Sequence, residues 1–313
     1  MTDDYGISTG YTALRRGAAT VDLPRDVLRV AGPDTLKFLQ GQLTQDVTTL
    51  VDGGSAWSLL LAPQGKVVAL LRVTRESGES VLLDTDGGWG DAVVERLRRF
   101  KLRVKCDIEA LPWRCVAVRG PLAAEVVGEG TQVAVVGAGV VVGADWPGLP
   151  GVDLLGEAPA APSAAVACPL ADYEAVRIEC GIPAMGSELD EGTIPAEAGV
   201  VDLTVSFTKG CYTGQELVAR IDSRGGNVPR RLRGLVFGDD TATGDGTVPP
   251  VGATVHDAGK QVGALTSVGR SPELGAVVAL AYVGRAVSPP ADVDVVWDGA
   301  SVRARVQTLP LVT

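Results

Sequence analysis

Lys209-Gly210-Cys211-Tyr212-Thr213-Gly214-Gln215-Glu216 is the densest segment of the 313-residue chain. A cysteine beside a glycine, with a second glycine three residues on, sits on a flexible or tightly turned backbone. Lys209, two residues away, favours a thiolate, and so does a helix N-terminus if Gly214-Gln215-Glu216 opens a helix. Two readings stand side by side. Cys211 is a reactive thiol or a ligand to a transferred metal centre, or it is a small residue packed in a turn.

Across the chain, 28 Lys and Arg against 38 Asp and Glu leave a net charge of −10. With 46% apolar and 21% charged residues the composition is globular, and the length suits two or three domains. The acidic balance argues against broad nucleic-acid binding, although a local basic patch is compatible with it. Cys106, Cys115, Cys168, Cys180 and Cys211 are odd in number and form no C-x-x-C. Neither a disulfide framework nor a self-contained zinc site is expected. The only histidine, His256, lies in His-Asp-Ala-Gly-Lys, which reads as a surface hairpin turn. Any Cys-His or Ser-His-Asp triad would have to use it. No apolar run approaches the roughly 18 residues of a membrane span. Met1-Thr2-Asp3-Asp4 lacks the basic start of a signal peptide, so a cytoplasmic location is expected.

The pattern predicts a polar, partly mobile tail over residues 1–20 and a strand from Val21 to Val30. A short helix follows from Thr35 to Gln40, then strands at Lys66–Thr74 and Ser80–Asp84 around the turn Glu76-Ser77-Gly78-Glu79. Val93, Val94, Leu97 and Phe100 recur with helical spacing, so Asp91–Phe100 reads as a helix. Strands are expected around Val104–Ile108, Cys115–Val118 and Val133–Val142. The Pro-rich stretch from Glu157 reads as a loop. A helix is expected from Leu170 to Cys180, with Gly181 as its C-terminal cap. After Pro229 short β segments alternate with Gly and Pro, as in a separate small barrel or sandwich.

Arg177 and Glu179 lie two apart on that helix and do not share a face. Glu179 either points into a cavity, where a carboxylate accepts two parallel N–H bonds such as a pterin edge offers, or is a surface carboxylate. The loop Thr193–Gly199, with Glu197 as its one charge, reads as an ordinary turn. In Gly41–Val47, Asp46 reads as a local cap.

Together these segments resemble a family. Lys209–Glu216 is similar to the K-G-C-[FY]-x-G-Q-E motif of the YgfZ folate-binding proteins, relatives of the glycine cleavage T-protein (aminomethyltransferase) and of a mitochondrial iron–sulfur assembly factor. Phe38–Val47, Arg177-Ile-Glu179-x-Gly181-Ile-Pro183 and Ile194-Pro195-x-Glu197-Ala-Gly199 resemble further motifs of the family. So do Gly259-Lys260-x-x-Gly263 and Ser271-Pro272 in the C-terminal part. The resemblance implies an α+β, three-lobed T-protein-like fold. Residues 21–230 would form a folate-binding body of two interleaved lobes and residues 231–313 a C-terminal β-barrel. It implies tetrahydrofolate, or a derivative, held by Glu179, Arg177, Glu197, Tyr212, Gln215, Arg220 and Arg224, with Cys211 and Lys209 as the reacting pair.

One departure bears on the branch. T-proteins carry an acidic pair in the region of Gly65–Val73, one member of which is catalytic. Here no Asp or Glu lies between Gly53 and Arg75, so proton transfer at a folate nitrogen lacks its agent. The expected function is a folate-binding accessory factor for iron–sulfur cluster assembly or repair, serving cluster enzymes that include tRNA-modifying ones. The alternative is an aminomethyl-type transferase. Expected partners are iron–sulfur or cluster-assembly proteins, with neither a membrane nor direct nucleic-acid contact.

Overall fold

The computed structural model describes residues 7–128, 135–136, 139–238 and 248–312. Three β structures carry the chain. The first sheet has the order β3 (Ser55–Leu61), β4 (Val67–Ser77), β5 (Ser80–Asp86), β2 (Arg25–Ala31), β6 (Asp107–Leu111). The second has the order β11 (Val166–Ala167), β1 (Ala19–Leu23), β7 (Arg114–Arg119), β10 (Gly151–Gly156), β9 (Gly139–Gly143), β8 (Val135–Val136). The third is a closed barrel of β12 (Arg230–Phe237), β15 (Ala276–Gly284), β14 (Lys260–Ser271), β13 (Thr254–Asp257), β16 (Ala291–Trp297) and β17 (Ala300–Gln307).

The helices fill the gaps between them. They are α1 (Thr9–Arg16), α2 (Thr35–Gln42), α3 (Gly90–Phe100), α4 (Ala123–Val127), α5 (Leu170–Cys180), α6 (Pro195–Ala198), α7 (Val201–Thr204) and α8 (Gln215–Asp222). The architecture is α+β with a C-terminal barrel. Among the described residues no helix is long and apolar enough to cross a membrane.

The pleat of the first sheet divides its residues by parity. Ala69, Leu71 and Val73 of β4, with Val81 and Leu83 of β5, face α2 and α3 and form one core with Leu39, Val93 and Leu97. Leu70 and Arg72 take the opposite face, as do Leu82 and Asp84. That face meets the second sheet through Val27, Leu82, Ala117, Val142 and Leu155. An apolar-looking strand thus carries one buried cation, 1% exposed, between two sheets.

Three expectations change. Val21–Val30 is two strands, because Pro24 has no N–H for a ladder and the chain there passes from the second sheet to the first. Residues 9–16 are not a loose tail but a helix, N-capped by Ser8, with Tyr11, Ala13 and Leu14 buried. The strand expected at Val104–Ile108 begins later, at Asp107. Part of Val133–Val142 lies outside the described residues. α5 spans Leu170–Cys180 as predicted, and Gly181 closes it in the left-handed region at φ 71°.

Candidate functional site

A cavity of about 260 Å³ opens where the two sheets, α5 and the segment 182–185 converge. Its aromatic wall is Trp57 and Trp146, with ring centroids 5.6 Å apart at 76°. The guanidinium groups of Arg25 and Arg72 lie 5.7 and 5.5 Å from the Trp57 ring, and Trp57 donates to the Asp145 carbonyl at 3.0 Å. The ionic wall comes from Arg25, Asp86, Arg119, Glu174 and Arg177.

Behind this wall runs a ladder of buried charges. Arg25 and Arg72 both pair with Asp84, at 2.6 and 2.9 Å. Arg72 and Arg119 both pair with Asp153, at 2.9 and 2.7 Å. Burial opposes the Asp153 charge more than any other single influence. Arg119 and then Arg72 nevertheless hold its carboxyl well below the usual carboxylate range. Alternating signs give every charge in the ladder an opposite partner.

The two carboxylates that reach the cavity differ in freedom. Asp86 Oδ1 takes Arg25 Nη1 at 2.8 Å and Oδ2 takes the Met185 N–H at 3.0 Å. Glu174 Oε2 takes Arg177 Nε at 2.8 Å, and its Oε1 has no partner among the described residues. Arg177 is a strut, spending its other donors on the Ile182 carbonyl, Glu188 and Ser267.

Glu179 is not at this cavity. It faces α1, wholly buried, where it is ion-paired with Arg15 and receives the Tyr11 hydroxyl at 2.9 and 3.0 Å. Burial, then the Glu179 charge, push the Tyr11 phenol up to about 12. The carboxylate therefore pins the N-terminal helix to α5. Glu179→Gln is expected to lower unfolding free energy by about 2–4 kcal/mol, since it removes one partner of a buried charged cluster. Urea denaturation checks this, and a change below about 0.5 kcal/mol would count against the pinning role.

Lys209–Glu216 forms a separate platform. Lys209 Nζ gives its three protons to the carbonyls of Gln40, Leu43 and Gln45 at 2.6–2.8 Å. Burial pulls this ammonium down to about 8, opposed by Asp46. Its role is thus to anchor the end of α2 and the following loop. Thr213 N–H donates to the Gly41 carbonyl at 3.1 Å. Gln215 Oε1 accepts the Tyr212 N–H at 3.1 Å and closes the turn. Gly214, at φ 86°, sits so close to the 61–65 turn that a Cβ would lie 2.7 Å from the Ala62 carbonyl oxygen. On this braced turn Cys211 is the one exposed cysteine among the described residues.

The remaining sequence candidates scatter. Tyr212 is half-buried over Lys209, 5.2 Å from Nζ to ring centroid. Glu197 pairs with Arg230 at 3.2 Å and ties α6 to the barrel. Arg220 and Arg224 are exposed on and after α8, and neither lines the cavity. His256 lies in the barrel, bonded to Thr254 at 2.9 Å. Of the expected cofactor residues the structure brings only Arg177 to the cavity. Sequence reading missed Trp57, Trp146, Asp86, Arg119 and Glu174. A helical i,i+3 pairing of Glu174 with Arg177 was the one available signal.

Two comparisons of sequence and one of structure converge on this fold. Residues 4–138 match the GCVT N-terminal domain and residues 230–312 the glycine cleavage T-protein C-terminal barrel domain. An aminomethyltransferase of Moorella thermoacetica is 30% identical over 317 residues, covering 90% of this chain and 83% of its own. The tRNA-modifying protein YgfZ of Klebsiella pneumoniae is 30% identical over 221 residues, 63% of this chain and 65% of that one. A mitochondrial iron–sulfur cluster assembly factor IBA57 homolog of Neurospora crassa is 28% identical over 242 residues, 68% and 52%. The crystal structure of aminomethyltransferase T from Bartonella henselae superposes with a TM-score of 0.83 at 22% identity, covering 100% of this chain and 91% of that one.

The chain belongs to the glycine cleavage T-protein family. Its relatives include YgfZ and IBA57 as well as aminomethyltransferases, consistent with a YgfZ-type protein related to the T-protein.

Proposed function

We propose that this chain is a folate-binding accessory protein that supports iron–sulfur cluster assembly or repair, and through it cluster-dependent tRNA-modifying enzymes, with Cys211 as its working thiol. The observation that carries the reading is the platform of Lys209–Glu216. It is braced from three sides and leaves one chemically active group, the Cys211 thiol, in solvent.

The cavity between the two sheets and α5 suits a reduced pterin. Trp146, packed edge-on against Trp57, offers an aromatic wall, and the free oxygen of Glu174 with its partnered Oε2 offers a carboxylate edge to adjacent N–H donors. Tetrahydrofolate supplies a one-carbon unit when bound. Arg25 holds Asp86 and Arg177 holds Glu174 in place around it. No step of proton transfer is assigned to β4, whose cavity-side residue is Leu70.

Glu174→Ala is expected to weaken tetrahydrofolate binding by about 30- to 150-fold, the loss of a charge-assisted hydrogen-bond pair worth on the order of 2–3 kcal/mol. Titration calorimetry reads this directly. Glu179→Gln, in the protein that remains folded, is expected to bind with unchanged affinity. The opposite ranking would restore Glu179 as the pterin residue.

A second reading, a one-carbon transferase acting on an amine, is favoured by the 90% coverage of this chain by an aminomethyltransferase relative. Methylene-tetrahydrofolate formation with candidate amines separates the two. Robust multiple turnover supports the transferase and removes the accessory role.

A further inference from the structure

Six of the eleven residues Glu95–Lys105 are basic, in a chain of net charge −10. Arg96 is buried, held by Gln42 at 3.2 Å and the Leu61 carbonyl at 2.9 Å. Arg98, Arg99, Lys101, Arg103 and Lys105 pair with no carboxylate among the described residues. Other cations without a carboxylate partner among the described residues, such as Arg16, Lys37, Arg224 and Lys260, are spread along the chain, whereas here five fall within the eight residues from Arg98 to Lys105. Arg98 and Arg99 sit in the last turn of α3, where cations suit the free carbonyls. That accounts for two of the five.

At the centre of the cluster stands Leu102, 80% exposed, more than any other large apolar side chain described. The segment is held in shape. The Leu102 N–H donates to the Phe100 carbonyl at 3.1 Å, and Arg103 is left-handed at φ 58°. At its far end Asp34 Oδ2 receives the Lys105 N–H at 2.8 Å, and the Lys105 carbonyl receives the Asp34 N–H at 3.2 Å. Gly32 permits this closeness, since a Cβ there would lie 2.6 Å from the Lys105 oxygen. An apolar tip ringed by unpaired cations on a pre-shaped loop is the anatomy of an interface centre and rim, with the ordering cost already met.

We propose that the loop Lys101–Lys105, with Arg98 and Arg99 at its base, is the docking surface for an acidic protein partner. Leu102 enters an apolar socket on that partner and the surrounding cations meet its carboxylates. RNA is the competing polyanion. It is read through phosphate contacts and through stacking on exposed rings. The aromatic at this surface, Phe100, is covered by the Arg96 guanidinium at 3.8 Å, and a projecting leucine has no counterpart in a phosphate backbone. The surface is one step from the Cys211 platform. Arg96 bonds Gln42 of α2, whose neighbours Gln40 and Gly41 accept from Lys209 and Thr213.

The test places p-benzoylphenylalanine at position 102 of the full chain in cells, with position 274 on the barrel as control. After irradiation, the species cross-linked only from 102 is identified by mass spectrometry and purified. Expected is an acidic protein whose binding weakens roughly 100-fold when Arg98, Arg99 and Arg103 are all changed to Glu, about tenfold for Leu102→Ala, and steeply with salt. Thermal midpoints of both variants should match the parent chain. The proposal is overturned if no cross-link is specific to position 102, or if the captured protein binds the charge-reversed chain equally well. It is overturned too if the cross-linked species is RNA and structured RNA binds at physiological ionic strength.

Discussion

Arg72→Met is expected to cost about 3–5 kcal/mol of stability at neutral pH. Met fills most of the volume, so the loss is electrostatic. Arg72 is shared by Asp84 and Asp153, both wholly buried, and its removal leaves each carboxylate with fewer compensating cations inside a sheet-to-sheet interface. The pH dependence identifies the cause. Asp153 titrates below its unfolded value because of Arg119 and Arg72. Its contribution is therefore present above the unfolded carboxylate range and lost as pH falls toward the folded value. Without Arg72 that depression shrinks, so the gap between parent and variant should narrow from pH 7 to pH 3. Urea denaturation across that range measures it. A cost under 1 kcal/mol, or one independent of pH, would remove the ladder as a source of stability. Asp153→Asn in the Arg72→Met background should return part of the loss, since it relieves one orphaned charge.

The ladder also shows what sequence could and could not convey. Lys66–Thr74 reads as a largely apolar strand, and β4 runs from Val67 to Ser77. Yet nothing in a single β pattern says that Arg72 meets Asp84 on the neighbouring β5 and Asp153 from another sheet, 81 positions away in the chain. The long motif at Lys209–Glu216 conveyed the family and therefore the barrel and the α+β body. α5 was legible to the residue, because its apolar positions and Gly181 mark both ends. α1 was not. Its buried face is only Gly10, Tyr11, Ala13 and Leu14 within eight residues, too short for a helical period to stand out.

The site was less legible than the fold for a geometric reason. Glu174 and Glu179 lie five positions apart on one helix, roughly 140° around its axis at about 100° per residue. Which of them faces a cavity depends on what packs against the other side. Here α1 takes the Glu179 side, and α1 was the element that composition concealed. The tryptophans are similarly hidden. Trp57 and Trp146 come from β3 and from the loop after β9, and only the packing of two sheets brings them together.

Cys211→Ser and Lys209→Met are expected to fail in opposite ways, and the contrast decides what the platform is for. The Cys211 side chain is exposed and makes no hydrogen bond among the described residues. Serine is close in size, so stability should change by no more than about 0.5 kcal/mol. In a strain lacking this chain, the serine variant should nevertheless leave iron–sulfur enzyme activity at the level of the empty vector. Lys209→Met keeps the stem and removes the ammonium, leaving the carbonyls of Gln40, Leu43 and Gln45 short of a donor. That should cost about 2–4 kcal/mol and raise amide exchange in residues 40–46 and 206–213, with enzyme activity falling only as the folded protein is depleted. Growth at lower temperature should therefore rescue the methionine variant and not the serine one. If Cys211→Ser supports full enzyme activity at normal protein levels, the exposed thiol has no role, and the braced turn is a structural joint between α2 and α8.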